Sequence, residues 1–428
     1  MEKTNVLIFP AGSENAIEVY ESLYQHIDIE VFGASGKSDH ASYLYPEDHY
    51  SEDNYYIDDP DFIQRFNQLI SRWNIDIVIP THDTIAQFLA NNRGKIDAKI
   101  LTADAKTADI CRQKRKTFDL FSDCDFCPKV YPSLEEASSE DYPLFLKPNI
   151  GEGGKRTKLL LTQAEALNLS QEEDLIICEY LPGEEYTVDG YTNRKGELLF
   201  CGLRQRDRIH IGIAMRSHTL DTSEDVLSIA QEINSRIKMF GAWFFQLKED
   251  RSGKLKLLEV SCRHAGTMTL FRHKGVNFAL MGIYELNGID VEPLEMPGSW
   301  SLDRCLRARF MLPFDFDTVY VDLDDTLIIK GMVNAVLIQF LYQCVNTNKR
   351  IVLLTKHDAS PEDTLKKFKI NPELFDQIIH LSIDESKAAC ITQTRSILID
   401  NSFAERKMVY ETHGIPVFDV DAVDCLIQ

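Results

Sequence analysis

Phe145-Leu-Lys-Pro-Asn-Ile-Gly-Glu-Gly-Gly-Lys-Arg-Thr-Lys-Leu-Leu160 is the stretch around which the rest of the chain is read. An apolar strand ends in Lys147, turns through a glycine-rich loop and leaves along a second strand, as a chain does when it wraps its backbone around a polyphosphate. Gly151, Gly153 and Gly154 carry no Cβ and can adopt positive φ, so their N–H groups could close on phosphate oxygens. Lys147 adds a point charge. No Lys-Ser/Thr pair follows the glycines and no helical pattern begins there, which excludes a P-loop. Gly-x-Gly-Gly also misses the spacing of the dinucleotide fingerprint. Alone, the cluster fits a flexible hairpin with a surface lysine better, and its neighbours decide.

With 428 residues the chain exceeds one core, and roughly 100 to 200 residues per domain predicts two to four domains. Hydrophobic residues at 44% and charged residues at 26% are those of a soluble globular protein. The N-terminal residues enter a short strand without a signal-peptide core, and the ten cysteines lack framework spacing, so a reduced, cytoplasmic protein is expected. Cys124-Asp-Phe-Cys127 has no second pair for zinc and reads as coincidence. A formal charge of −21 argues against nucleic acid and anionic membrane as partners.

Taken in order, Asn5–Phe9, residues 28–32 and Ile75–Pro80 read as strands alternating with helical patterns over residues 16–23 and 63–73. That alternation predicts a parallel sheet, which binds ligands at the carboxyl ends of its strands. His82 and Asp83 fall at such an end, either as substrate contacts or with Asp83 as an N-cap. Residues 107–121 look like one helix whose Lys114, Arg115 and Lys116 would form a solvated basic face. Residues 174–181 predict a strand running into the carboxylates of 184–189. Arg204, Arg206 and Arg208 would share one face of an extended segment, where planar forks suit carboxylate or phosphate. Arg251-Ser-Gly253 signals a hairpin which, centred between Ser252 and Gly253, sets Gln246 opposite Glu259. Cross-strand partners lie roughly 5 Å apart, within reach of one oxygen-seeking cation.

Lys114, Lys147 with its glycine loop, the Glu179–Asp189 segment and the Gln246/Glu259 hairpin occur in the order and spacing of the ATP-grasp superfamily. The chain resembles its carbamoyl-phosphate synthetase-like branch over about residues 1–312. The resemblance implies a Rossmann-like domain at 1–113 and an ATP-grasp domain at 114–312. It implies Lys114, Lys147, Gly151, Gly153 and Gly154 on the phosphates of ATP, Glu179 and Leu181 at the adenine, and Glu185 on ribose. Gln246 and Glu259 would hold Mg2+ (or Mn2+), Arg263 would stabilise the transferred phosphoryl group, and Arg204, Arg206 and Arg208 would orient the acid substrate. Ser261 departs from the Asn usual at that position, a metal ligand in the family. The implied chemistry is activation of a carboxylate as an acyl phosphate followed by attack of an amine.

Downstream, Thr318–Val321 predicts an apolar strand ending in Asp322-Leu-Asp324-Asp-Thr326, and Thr355, Lys387 and Asp400 fall at later element ends. Aspartates two apart can act as nucleophile and as general acid and base. Residues 315–428 resemble the haloacid dehalogenase superfamily. The resemblance implies Asp322 as nucleophile, Asp324 as acid and base, Thr355 and Lys387 on the phosphate, and Asp322, Asp324 and Asp400 around Mg2+. Asn401 stands where many members carry Asp, and the short span from Asp322 to Thr355 leaves no room for a cap domain. The expected fold is therefore mixed α/β and α+β in three domains, the last Rossmannoid and without a large cap. The expected protein is a bifunctional ligase and phosphatase acting on small-molecule carboxylate, amine and phosphorylated substrates, with a homodimer allowed. A nucleotide sensor or scaffold with a degenerate ATP-grasp site is the alternative.

Overall fold

A computed structural model describes residues 3–151, 154–166 and 174–427, and Gly153 of the predicted phosphate loop lies outside them. The chain divides into two compact units, Met1–Leu306 and Arg307–Gln428. Among the described residues no helix is long and apolar enough to cross a membrane.

The first unit opens with a parallel sheet in the order Tyr50–Glu52, Ile29–Ser35, Thr4–Phe9, Ile77–Pro80, Lys99–Ile100. Val6, Leu7 and Ile8 are all fully buried, as expected for a strand covered on both faces by helices. Strand order reverses between Thr4–Phe9 and Ile77–Pro80, so a crevice opens at their carboxyl ends, at Ser13–Asn15 and Thr81–Asp83. Two further sheets follow. One is four-stranded, in the order Val130–Tyr131, Leu175–Glu179, Leu144–Pro148, Lys158–Leu160. The other is an antiparallel six-stranded sheet in the order Leu255–Ser261, Gly241–Glu249, Glu185–Thr192, Leu198–His210, Ile213–Leu220, Ser301–Asp303. The predicted strand–loop–strand is present: Leu144–Pro148 pairs antiparallel with Lys158–Leu160, with Leu146 opposite Lys158. Trp243, fully buried, sits where Gly190 leaves room; a Cβ at 190 would come within 2.5 Å of the indole.

Three local expectations are corrected. Residues 107–121 form two helices, Ala105–Arg112 and Lys114–Leu120, because Gln113 is extended (φ −109°, ψ 104°). The Gln246/Glu259 pairing is found, but the turn is centred on Ser252. Leu247 pairs with Leu257 and Gln246 with Glu259, so a bulge at Leu258 recovers the residue that the tighter turn displaces. The three arginines do not share a face, since register shifts flank Arg208.

The second unit is a parallel sheet in the order Gln377–His380, Arg350–Thr355, Thr318–Val321, Ser396–Ile399, Val417–Phe418. Every residue of Thr318–Val321 is buried, which fixes it as the central strand. A small hairpin, Ile328–Ile329 with Met332–Val333, follows the aspartate turn and was not expected from sequence. It occupies the span that the sequence reading left without a cap domain.

Candidate active sites

In the first unit a cleft of about 410 Å³ runs from the crevice at Ser13–Asn15 and Thr81–Asp83 to the Gln246/Glu259 hairpin. Lys114, Gly151, Arg204, Arg206, Gln246, Glu259, Ser261 and Arg263 all line it, joined by Arg112, Lys155 and Arg304. Seven cationic side chains in its wall face three carboxylates, Glu14, Asp83 and Glu259, in a chain whose formal charge is −21. Such a concentration of positive charge against the global field suits anionic ligands.

Lys114 is not on a solvated face. Its Nζ donates to the Gly151 carbonyl at 3.3 Å and lies 3.7 Å from Glu259, while Arg115 is fixed by Asn149 and the Leu175 carbonyl and Lys116 pairs with Asp109. Lys147 is buried, with its Nζ 3.0 Å from the Leu258 carbonyl and 4.6 Å from the centre of the Phe118 ring. The bulge at Leu258 therefore has a use: it interrupts the ladder at the carbonyl that holds the lysine. Burial lowers the Lys147 pKa from its ordinary value, with Lys114 adding to the effect and nearby Cys178 and Glu259 opposing it.

A second, narrower pocket of about 110 Å³ adjoins Lys147 and is lined by Phe145, Cys178, Glu179, Tyr180, Leu181, Glu185, Lys248, Leu257 and Leu258. Glu179 and Leu181 stand in its wall. Phe145, Tyr180 and Leu257 were missed, because apolar strand residues carry no chemical signature in sequence. The Glu179 carboxylate accepts from the Lys129 N–H at 2.8 Å. Glu185 pairs with Arg206 Nη1 at 2.7 Å and lies 3.6 Å from Lys248.

Of the three arginines, Arg204 is 1% exposed and bonded to Asp189 through Nε (2.6 Å) and Nη2 (3.0 Å), with Thr267 on Nη1. Arg206 reaches Glu185 and the Gly212 carbonyl, and its buried Nε has no partner among the described residues. Arg208 is exposed and pairs with Asp303, away from the cleft lining. Asp83 is likewise corrected. His82 occupies the N-cap position, and Asp83, in the first turn, accepts from Arg263 (2.7 and 2.9 Å) and from the Ser261 hydroxyl at 2.5 Å. Burial pushes its pKa up, but the Arg263 charge and these bonds more than offset that and bring it to about 2. The Ser261 proton is thus committed to Asp83. His264, buried beside Arg263, is pushed down to about 4, mainly by burial.

Among the described residues no cluster of three His, Cys, Asp or Glu side chains forms a ready-made metal site. Glu259 and the Gln246 amide, paired across the hairpin, form an oxygen-only donor set; this fits Mg2+, which keeps waters and takes its remaining ligands from phosphate.

In the second unit Asp322, Thr355 and Asp400 stand at the carboxyl ends of adjacent parallel strands. Lys387 Nζ lies 2.7 Å from both Asp322 and Asp400, and all three side chains are under one-tenth exposed. Burial raises the Asp322 pKa; Lys387 opposes the rise and Asp400 adds to it. Burial would lower the Lys387 pKa, but the two carboxylates raise it. Thr326 Oγ1 donates toward Asn401 (3.2 Å) and Asp322 (3.4 Å) and accepts the Asn401 N–H at 3.0 Å. Thr355 Oγ1 is fully buried without a partner among the described residues, as a hydroxyl awaiting an oxyanion would be. The Asp322 and Asp400 carboxylates fit a hard divalent cation. Asp324, half exposed, is bonded to His357, a residue that sequence reading missed.

The first unit carries an ATP-grasp fold. Residues 171–299 match a family described as ATP-grasp in the biosynthetic pathway with Ter operon. Among solved structures, the chain resembles the biotin carboxylase domain of 2-oxoglutarate carboxylase from Hydrogenobacter thermophilus, solved with MgADP, ADP and bicarbonate. The identity is 15%, covering 70% of this chain and 74% of that one, with a TM-score of 0.59. N5-carboxyaminoimidazole synthetase from Staphylococcus aureus complexed with ADP is similar at 14% identity, 72% and 83% coverage and a TM-score of 0.58. L-amino acid ligase from Bacillus licheniformis follows at 15% identity, 69% and 76% coverage and a TM-score of 0.51. No curated protein matches the sequence.

Proposed function

We propose that residues 1–312 form an ATP-dependent carboxylate–amine ligase of the carbamoyl-phosphate synthetase-like branch, built from a Rossmann-like domain at 1–113 and an ATP-grasp domain at 114–312. The observation that carries this is the convergence of Lys114, Gln246, Glu259 and Arg263 on one cationic cleft beside the pocket of Glu179 and Leu181. Adenine would lie in the narrow pocket, with Lys114, Lys147, Gly151, Gly153 and Gly154 toward the phosphates and Glu185 toward ribose. Mg2+ bound by Glu259 and Gln246 would neutralise charge on the phosphates of ATP. The acid, held by Arg204 and Arg206, attacks the γ-phosphorus and releases ADP; the amine then adds to the acyl phosphate and expels phosphate, losing a proton. Arg263, fixed by Asp83, would face the transferred group. Holding both reactants can lower the barrier by roughly 7 to 11 kcal/mol. Hydroxylamine offered in place of the amine should trap the acyl phosphate as a hydroxamate, with matched ADP release, when carboxylate pools are supplied with MgATP. ATP binding with no hydroxamate and no ADP from any pool would favour the sensor or scaffold reading, which the commitment of Ser261 to Asp83 keeps open.

For the second unit we propose a haloacid dehalogenase-like phosphatase at 315–428. Asp322 would take the phosphoryl group, Asp324 would protonate the leaving oxygen and later deprotonate water, and Thr355 and Lys387 would hold the phosphate. Asp322 and Asp400 would hold Mg2+. The orphaned Thr355 hydroxyl, at the end of the strand beside that of Asp322, together with the Lys387 bridge between Asp322 and Asp400, is its main support. Loss of Mg2+-dependent phosphate release on Asp322→Asn tests it.

A further inference from the structure

We propose that His357 is a positioning residue that aims Asp324 for proton transfer, an inference that rests on the phosphatase reading of this unit. Its ring lies between two partners: Nδ1 is 2.7 Å from Asp324 Oδ2 and Nε2 is 2.7 Å from Thr364 Oγ1. The backbone is held as well, since His380 Nε2 bonds the His357 carbonyl at 2.6 Å. The His357 side chain is 15% exposed and that of Asp324 is 54% exposed. An aspartate so open to solvent, on a turn that Asp325 completes at φ 53°, has several rotamers to choose from unless something holds it.

Donor and acceptor logic assigns the proton. With the transferable proton on Oδ1, Asp324 Oδ2 is an acceptor, so the ring proton sits on Nδ1. In the neutral ring Nε2 then accepts, so the Thr364 hydroxyl donates. Thr364 belongs to the helix Pro361–Lys367, whose Ser360 cap anchors it. With Oδ2 occupied by His357, Oδ1 is the oxygen that carries the transferable proton. In the first half-reaction an Asp322 oxygen bonds phosphorus, the ester P–O bond breaks, and the leaving oxygen takes the proton from Asp324 Oδ1. In the second, Oδ1 takes a proton from the attacking water as the bond between Asp322 and phosphorus breaks, releasing phosphate and restoring the Asp322 carboxylate and the protonated Asp324. Aim matters most where the leaving oxygen is a strong base.

That dependence supplies the test. The wild type, His357→Ala, His357→Asn and Asp322→Asn proteins are assayed as full chains with Mg2+ on glycerol 2-phosphate and on p-nitrophenyl phosphate. General acid catalysis is worth roughly 10²- to 10⁴-fold. Losing its aim should therefore lower kcat/KM for the alkyl ester by at least about tenfold, and that for p-nitrophenyl phosphate, whose leaving group needs no proton, by less than about threefold. His357→Asn, whose side-chain amide can donate as Nδ1 does, should recover part of the loss. A badly folded variant lowers both esters alike, so an unmoved ratio, or no loss at all, overturns the inference. If the wild type hydrolyses neither ester, or Asp322→Asn leaves its activity intact, the phosphatase reading fails and takes this inference with it. An active wild type that Asp322→Asn silences, with no effect of His357→Ala, defeats the inference alone.

Discussion

His264 should make the first unit acid-labile over a window that its surroundings define. It is 5% exposed, its Nε2 lacks a partner among the described residues, and Arg263 stands beside it. Burial holds its pKa at about 4 against 6.5 in an unfolded chain. The folded state resists the proton, so this contribution is complete above pH 6.5 and is lost as pH falls toward 4. Keeping the ring neutral in the folded state is worth about 3 kcal/mol, nearly all of it gone by pH 4. The Asp83 pKa, near 2, places its own loss below this window. Trp73, Trp243 and Trp300 are the only tryptophans and all lie in the first unit, so fluorescence-monitored urea unfolding reports that unit. Between pH 7 and 4 the wild type should lose about 3 kcal/mol more than His264→Leu. Parallel losses in the two proteins would refute the reasoning.

Other perturbations have equally definite outcomes. Lys387→Met leaves Asp322 and Asp400 buried without their cation and should cost about 3 to 5 kcal/mol in denaturant unfolding followed by circular dichroism, with partial recovery on adding Asp322→Asn. Gly190→Ala drives a methyl into Trp243 and should destabilise by about 1 to 3 kcal/mol with a shifted emission maximum; an unchanged spectrum would count against that packing. Lys147→Met should weaken MgATP binding by at least about tenfold in calorimetric titration, the worth of a hydrogen bond to a charged group. An unchanged Kd would remove Lys147 from the nucleotide site.

Much of this organisation is legible in the sequence where chemistry and periodicity agree. The parallel sheet over the first hundred residues, the strand–loop–strand at 144–160 and the aspartate-bearing strand at 318–321 follow from buried apolar runs bounded by turn residues. The Gln246/Glu259 pairing was reached by assuming a regular ladder, when the actual ladder has a tighter turn and a compensating bulge at Leu258. Period-two reasoning failed at Arg208 because register shifts flank it. Asp83 stayed open between a cap and a substrate contact because sequence suggests only local bonds, whereas its partners Ser261 and Arg263 lie almost 180 residues away. His357 was missed for the same reason: a lone histidine carries no signal until the fold brings Asp324 and Thr364 to its two nitrogens.

The central claim is that the cationic cleft couples ATP cleavage to joining an acid and an amine. ADP release from MgATP by Asp322→Asn protein, with pooled carboxylates and amines, tests it directly, with Glu259→Ala in the same background as control. Release should require both pools and disappear in the control. Measurable ATP binding with no stimulated release, or release that survives the loss of Glu259, would contradict the claim.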